Sequence, residues 1–315
     1  MIFEPANSGF LMLAVHLSDG VLSLPFCLFG FIAAAVTVGL GVQGIEDREI
    51  PRLGVLTAAF FVASQVHLPL GVSSVHLLLN GLLGVILGPR AVVAIAIGLG
   101  LQALLFAHGG ITSLGINICI YSLPAVVAAV LFRKVRGWPA MQIRAVRILV
   151  LFLVSLLILA TIAVTVFTIE LKWQGNRALA PERIVESLVD PVRCLSLFAV
   201  AAGLSLVFDR FDAHADFTCG AFVGAITAYL TVVLVAVALR VGGLDTGTTL
   251  PWAVLLLNSP VIAVEAIGLG FMIRYLGQVK PQFLGMFPIQ RADSDQRADS
   301  DDSVSGKTSS QGISH

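Results

Sequence analysis

The stretch RAVRILVLFLVSLLILATIAVTVFTI, residues 144–169, decides the class of fold. After Arg147 no charged residue occurs until Glu170, which outlasts the roughly 20 apolar residues that carry a helix across a bilayer. Runs of the same kind lie on both sides. Read against their polar breaks, they predict helices near 23–43, 52–67, 74–88, 90–107, 115–134, 144–169, 190–208, 216–240 and 250–277. The span 74–88 is short, which suits a tilted or partly re-entrant segment. Across all 315 residues, 57% are hydrophobic and 12% charged, with mean hydropathy +0.95. The expected fold is all-α, a polytopic transmembrane bundle of about nine helices.

The charges give that bundle a direction. Arg48, Arg52, Arg90, Arg133, Lys134, Arg136, Arg144, Arg147, Arg210, Arg274 and Lys280 all fall at one end of nine alternating spans. The opposing loops carry fewer: Lys172, Arg177, Arg183, Arg193 and Arg240. The positive-inside rule makes the first end cytoplasmic, with the N-terminus outside and the C-terminus inside. Formal net charge is zero, so no basic surface invites nucleic acid. Cys27, Cys119, Cys194 and Cys219 stand singly among apolar runs and read as small buried hydrophobes. Residues 1–14 hold Glu4, no positive segment and little apolar length, so they make a poor signal peptide. Residues 285–315 repeat Arg-Ala-Asp-Ser-Asp with almost nothing apolar, and are expected to be a disordered cytoplasmic tail.

The chemistry-bearing residues gather toward the other end. His16, His67, His76 and His108 all fall at or near the outer ends of the expected helices. Imidazoles converging on one membrane face are what capture of a divalent cation requires, although any single one also suits the water boundary. Asn80, Asn117 and Glu265 lie within apolar helices, where each must find a partner. An intramembrane carboxylate such as Glu265 is a functional candidate, with a structural bond to a neighbouring helix as the alternative.

Four stretches carry a family resemblance. His16-Leu-Ser-Asp-Gly-Val-Leu-Ser23 is similar to an MH(I/L)xDGxLS opening. HLLLNGLLGVILGP at 76–89 and LQALLFAHGGITSLGIN at 101–117 are similar to GHLLGGALAAILLGP and LQALLFADGGLTALGAN. EDREIPRLGVL at 46–56 resembles the family's first cytoplasmic turn, and NSPVIAVE at 258–265 takes the place of HxLIGIGEG. Together they resemble the CbiM/NikM family, the substrate-binding membrane components of energy-coupling-factor cobalt and nickel transporters. The resemblance covers roughly 15–137 and 216–284.

What the resemblance implies is a metal site built on a free N-terminus. In the family the histidine is residue two. Its amide nitrogen, its imidazole, the free amine and a second imidazole place four nitrogens in a plane, an arrangement suited to Ni(II) or Cu(II). Carried onto this sequence, the ligands are the Val15 amine, His16 and His76. Valine codons include GTG, an alternative bacterial start, so translation is expected to begin at Val15; cleavage after Ala14 would also leave His16 second. With residues 1–14 attached, the Val15 nitrogen is a peptide amide and the chelate cannot form. Asp19 either fixes the N-terminal loop, partners His16, or simply makes an Asp-Gly turn. His108, an aspartate in most of the family, is expected to line the outer loop; His67 has no counterpart. Asn80 and Asn117 brace the metal loop or bond between helices.

The sequence also departs from the family. Val75 replaces a glycine, Asn258 replaces a histidine, and 138–215 reads as an insertion of two helices into a core of about seven. The domain organisation expected is therefore an extension at 1–14, a metal-binding membrane domain at 15–284 and the tail. The implied function is capture of Co(II) or Ni(II), as transported substrate rather than resident cofactor, in the bacterial inner membrane. The partners implied are a transmembrane coupling subunit, two ATPase subunits and a small accessory membrane subunit. The chain has no GxxxxGK[ST] loop to bind ATP. It has no GxSxG, HExxH or intramembrane aspartate pair, which argues against a hydrolase. A stand-alone metal permease lined by Glu265, Asn80 and Asn117 is the alternative.

Overall fold

The computed structural model describes residues 17–65, 67–70, 73–106, 109–173, 190–212, 215–244, 254–255 and 258–284. Among them are nine α-helices: α1 (Leu24–Val42), α2 (Ile50–Gln65), α3 (Asn80–Leu87), α4 (Ala91–Phe106), α5 (Leu114–Arg136), α6 (Arg144–Trp173), α7 (Pro191–Phe211), α8 (Asp216–Gly242) and α9 (Ser259–Val279). One short antiparallel hairpin, β1 (His67–Leu70) with β2 (Ser73–His76), joins α2 to α3. Seven stretches are long and apolar enough to cross a membrane: α1, α5, α7, α8, the first two-thirds of α6, nearly all of α9, and Asn80–Phe106 taken as one. The chain is a multi-pass helical membrane protein.

Contacts fix the direction of each helix. Gly98 of α4 meets Phe60 of α2, and Gln102 bonds Ser64 one turn further on, so α2 and α4 run parallel. Asn80 reaches the Tyr121 carbonyl and Gly84 packs on Ala125, so α3 runs with α5. Gly220 and Gly224 of α8 pack on Leu269 and Glu265 of α9, which makes that pair antiparallel. These small residues let backbones approach closely where lipid offers no hydrophobic drive for helix association.

The arginines collect at one end, as the charge pattern predicts. Arg52 donates to the carbonyls of Ile86 (2.6 Å) and Phe283 (2.8 Å). Arg90 donates to those of Gly41, Gln43 and Gly44. Arg136 pairs with Asp216, while Arg144 and Arg147 hold the buried Asp209 at 2.7 and 3.1 Å. Each bond clips a turn at this basic end. The opposite end carries the hairpin, residues 17–23 and the 109–113 loop.

Arg52 touches the end of α3, and Arg90, at the start of α4, touches the end of α1. The chain therefore reverses at Gly88-Pro89, where Gly88 has φ +60°, a conformation glycine adopts without strain. This makes α3 a half-length descent rather than the first part of one long span.

The helix expected over 74–88 is thus corrected in its first half. Residues 73–76 are strand, and helix begins only at Asn80. Leu79 takes a left-handed conformation (φ 47°), and a side chain from α9, distant in sequence, captures the free N–H groups ahead of α3. Non-helical backbone at membrane depth is tolerated where protein satisfies it. Cys27 and Cys219 are buried as expected, Cys119 and Cys194 only partly; all four are free thiols. Residues 1–14, Val15, His16, His108 and the tail 285–315 lie outside the described residues.

Candidate metal-capture face

The segment that follows His16 is held by one side-chain amide. Leu17, buried, donates its N–H to Asn117 Oδ1 (3.1 Å), and Asn117 Nδ2 donates back to the Leu17 carbonyl (2.9 Å). The amide of Asn117 thereby imitates a neighbouring strand. Its Nδ2 also donates to the Gly109 carbonyl (2.8 Å). The Ser113 hydroxyl sits between the same two carbonyls, 2.5 Å from Leu17 and 2.7 Å from Gly109. Asn117 reaches this position because it lies in the first turn of α5, directly below the loop.

Asp19 makes the second attachment. Its carboxylate accepts from Ile111 N (3.0 Å), Thr112 N (2.7 Å) and Thr112 Oγ1 (2.6 Å). The Thr112 hydroxyl, helped by the main-chain N–H groups, holds the Asp19 carboxyl below its ordinary range despite some desolvation. Gly110 (φ +69°) passes so close to Asp19 that any side chain there would strike it. On its other side the segment is stitched to the end of α8, through Ser23 N to the Gly242 carbonyl (2.7 Å) and Leu244 N to the Val21 carbonyl (2.9 Å). Residues 17–23 are therefore fixed from both flanks.

The region that follows His76 is fixed as firmly. Glu265 Oε1 accepts from Leu78 N (2.5 Å) and Leu79 N (3.1 Å). Asn80 donates to Thr231 Oγ1 (2.9 Å) and accepts from Gly81 N (2.9 Å). Glu265 and Asn80 are both buried, and these bonds pair Glu265 Oε1 and both polar atoms of Asn80 within the protein. His76 ends β2, in register with His67 at the start of β1. Leu17 and Leu78, close in sequence to His16 and His76, belong to one buried apolar cluster.

Of the candidates read from the sequence, the structure brings Asp19 and Asn117 together at one loop, and Asn80 and Glu265 together around the start of α3. It places the backbone of His76. Among the described residues, no three His, Cys, Asp or Glu side chains come together to hold a metal ion. Thr112 and Ser113 were missed by the sequence reading. Their only signal was two hydroxyls just after Gly-Gly, in a loop facing an unpaired Asp.

Against this geometry, the model of a family described as "Cobalt uptake substrate-specific transmembrane region" matches residues 16–191 and 192–283. The chain belongs to this family, CbiM. A "Putative metal transport protein" of Haemophilus influenzae is 42% identical over 130 residues, 41% of this chain and 63% of the relative. A "Putative fused nickel transport protein NikMN" of Archaeoglobus fulgidus is 35% identical over 107 residues, 33% of this chain and 36% of the relative. The aligned part thus spans less than two-thirds of either relative. A solved structure described as a truncated transition metal transporter is similar in fold, with TM-score 0.50 and 16% identity, over 84% of this chain and 98% of that one.

Proposed function

We propose that this CbiM-family chain is the substrate-capture component of an energy-coupling-factor importer for Co(II) or Ni(II). Metal enters from the end that carries the hairpin, taken as extracytoplasmic, and the basic end faces the cytoplasm of the bacterial inner membrane. The ligands are the Val15 amine, the amide nitrogen and imidazole of His16, and the His76 imidazole. His108, outside the described residues, is assigned to the outer loop as part of this proposal. The chain begins functionally at position 15, after an alternative start or cleavage, since the amide gives up its proton only when flanking donors already hold the metal.

The observation that carries this reading is the paired bond between Leu17 and Asn117. It fixes the peptide next to His16 at the end that this reading takes as extracytoplasmic. Family membership and the names of the relatives point the same way. The chain has no phosphate-binding loop, so energy comes from partners or from an ion gradient; this reading assigns it to a coupling subunit and two ATPases, with a small accessory membrane subunit where present. The two helices within 138–215 are an addition to the family core. Calorimetric titration of Ni(II) into the form beginning at position 15 tests the ligand set. His16→Ala and His76→Ala should each abolish tight binding, and full binding by either variant contradicts it. Metal uptake by the chain alone, without an ATPase, would favour the permease instead.

A further inference from the structure

We propose that Glu265 positions His76 for the metal and supplies the counter-charge for a cation held there, an inference that rests on the capture reading above. Three observations carry it. The first is a clamp at the start of α3: a single carboxylate oxygen takes both the Leu78 and Leu79 N–H groups, only two and three residues beyond His76. Leu79 meanwhile sits at φ 47°, a conformation a leucine keeps only when its surroundings over-determine it. The chain just beyond β2 is held at Leu78 and Leu79 by these bonds, which limits where the end of β2 can lie.

The second observation is that the clamp has a rigid base. Glu265 is 4% exposed, and the α9 backbone at this residue lies directly against Gly224 of α8, where no side chain would fit. Asn80, tied to Thr231 of the same α8, fixes the next residue of the chain. The β2–α3 junction is thus referenced to α8 and α9, which pack closely through Gly220 and Gly224.

The third is electrostatic. A half-length helix that starts inside the membrane presents the partial positive charge of its N-terminus there. A dication captured at His76, four residues before α3 begins, would be repelled by it. The Glu265 carboxyl accepts N–H groups at that terminus, and a dication held nearby would favour its ionised form, which offsets the repulsion. A simple structural cap would need only a neutral acceptor, so the charge is the distinguishing feature.

Glu265→Gln keeps an amide oxygen to accept the N–H groups but removes the charge; Glu265→Ala removes both. The whole chain and the form beginning at position 15 are titrated with Ni(II) alone, recording the d–d absorption. Hydrogen exchange of the peptide spanning Leu78 and Leu79 is followed in the metal-free protein. In the position-15 form, Glu265→Gln should weaken Ni(II) binding roughly 10- to 100-fold with the parent absorption bands, in the range seen for partners that support metal ligands. Glu265→Ala should also shift the bands and accelerate exchange. Parent affinity and parent spectrum in both variants would overturn the proposal, as would thermal destabilisation with unchanged affinity. If the parent itself takes up no Ni(II), the capture reading fails. Exchange then still decides the clamp: faster exchange in Glu265→Ala supports it, and unchanged exchange overturns it.

Discussion

The two ends of this bundle share one device, a short carboxylate on main-chain N–H groups (Asp212 on Phe217 and Thr218 at the basic end), and differ in the arginines. At the basic end, long arginines donate to main-chain carbonyls or pair with carboxylates, as Arg52 does across α2, α3 and the residues after α9. At the other end, short acidic and amide side chains bind the main chain, mostly its N–H groups: Asn117 on Leu17, Asp19 on Ile111 and Thr112, Glu265 on Leu78 and Leu79. An arginine stem reaches far and tolerates displacement of what it holds. A short amide or carboxylate has few rotatable bonds and holds one peptide close to its own helix or loop. The basic end is therefore built to close turns, and the hairpin end to place particular peptides beside the proposed ligands.

The comparison breaks most visibly at Asn117. Replacing it with Ala strands the Leu17 N–H, whereas the Leu17 and Gly109 carbonyls keep the Ser113 hydroxyl. At about 1–3 kcal/mol for an orphaned buried group, a loss of that size in stability is expected, together with loss of metal binding. Denaturation in detergent and calorimetry would measure both. Arg52→Met should lower stability by about 1.5–3 kcal/mol, the range for hydrogen bonds from a charged group, yet leave metal affinity unchanged. A loss of affinity there would erase the division between the two ends. Gly110→Ala should cost about 1–3 kcal/mol through the positive φ alone, and the contact with Asp19 adds to the loss.

The smallest effect is the dependence on pH through Asp19. Its folded-state pKa lies below the ordinary 3.8, so its contribution is complete above that value and disappears as pH falls through the lowered one. Loosening of the 109–113 loop, read by hydrogen exchange, should therefore appear only well into the acid range in the parent. Asp19→Asn should show the loosened loop at neutral pH and no acid transition.

Much of the architecture was legible from the chain alone. The uncharged runs located the helices because a bilayer enforces length and apolarity together, and the arginines sorted to one end for the same reason. What the runs did not reveal was the break inside 74–88. Ser73–Leu87 is apolar throughout its second half, and nothing local distinguishes strand from helix there. The deciding contact comes from Glu265, far away in sequence. Asp19 shows the same limit. Its Asp-Gly pair looks like a simple turn, and only the folded loop at 109–113 shows what the carboxylate holds. Asn80 and Asn117 could be recognised as needing partners, because an unpaired amide is costly in hydrocarbon, but their partners follow from helix directions. The proposed ligands Val15 and His16 rest on the family motif and on the anchored peptide beside them.

The most direct test of metal capture through the amine of residue 15 is one comparison of Ni(II) dissociation constants by calorimetry. One protein is the chain from Met1, and the other begins with methionine in place of Val15. The account predicts tight binding by the shorter form alone, lost in His16→Ala. Equal affinity in both forms would contradict it, since side-chain imidazoles would then suffice without the free amine.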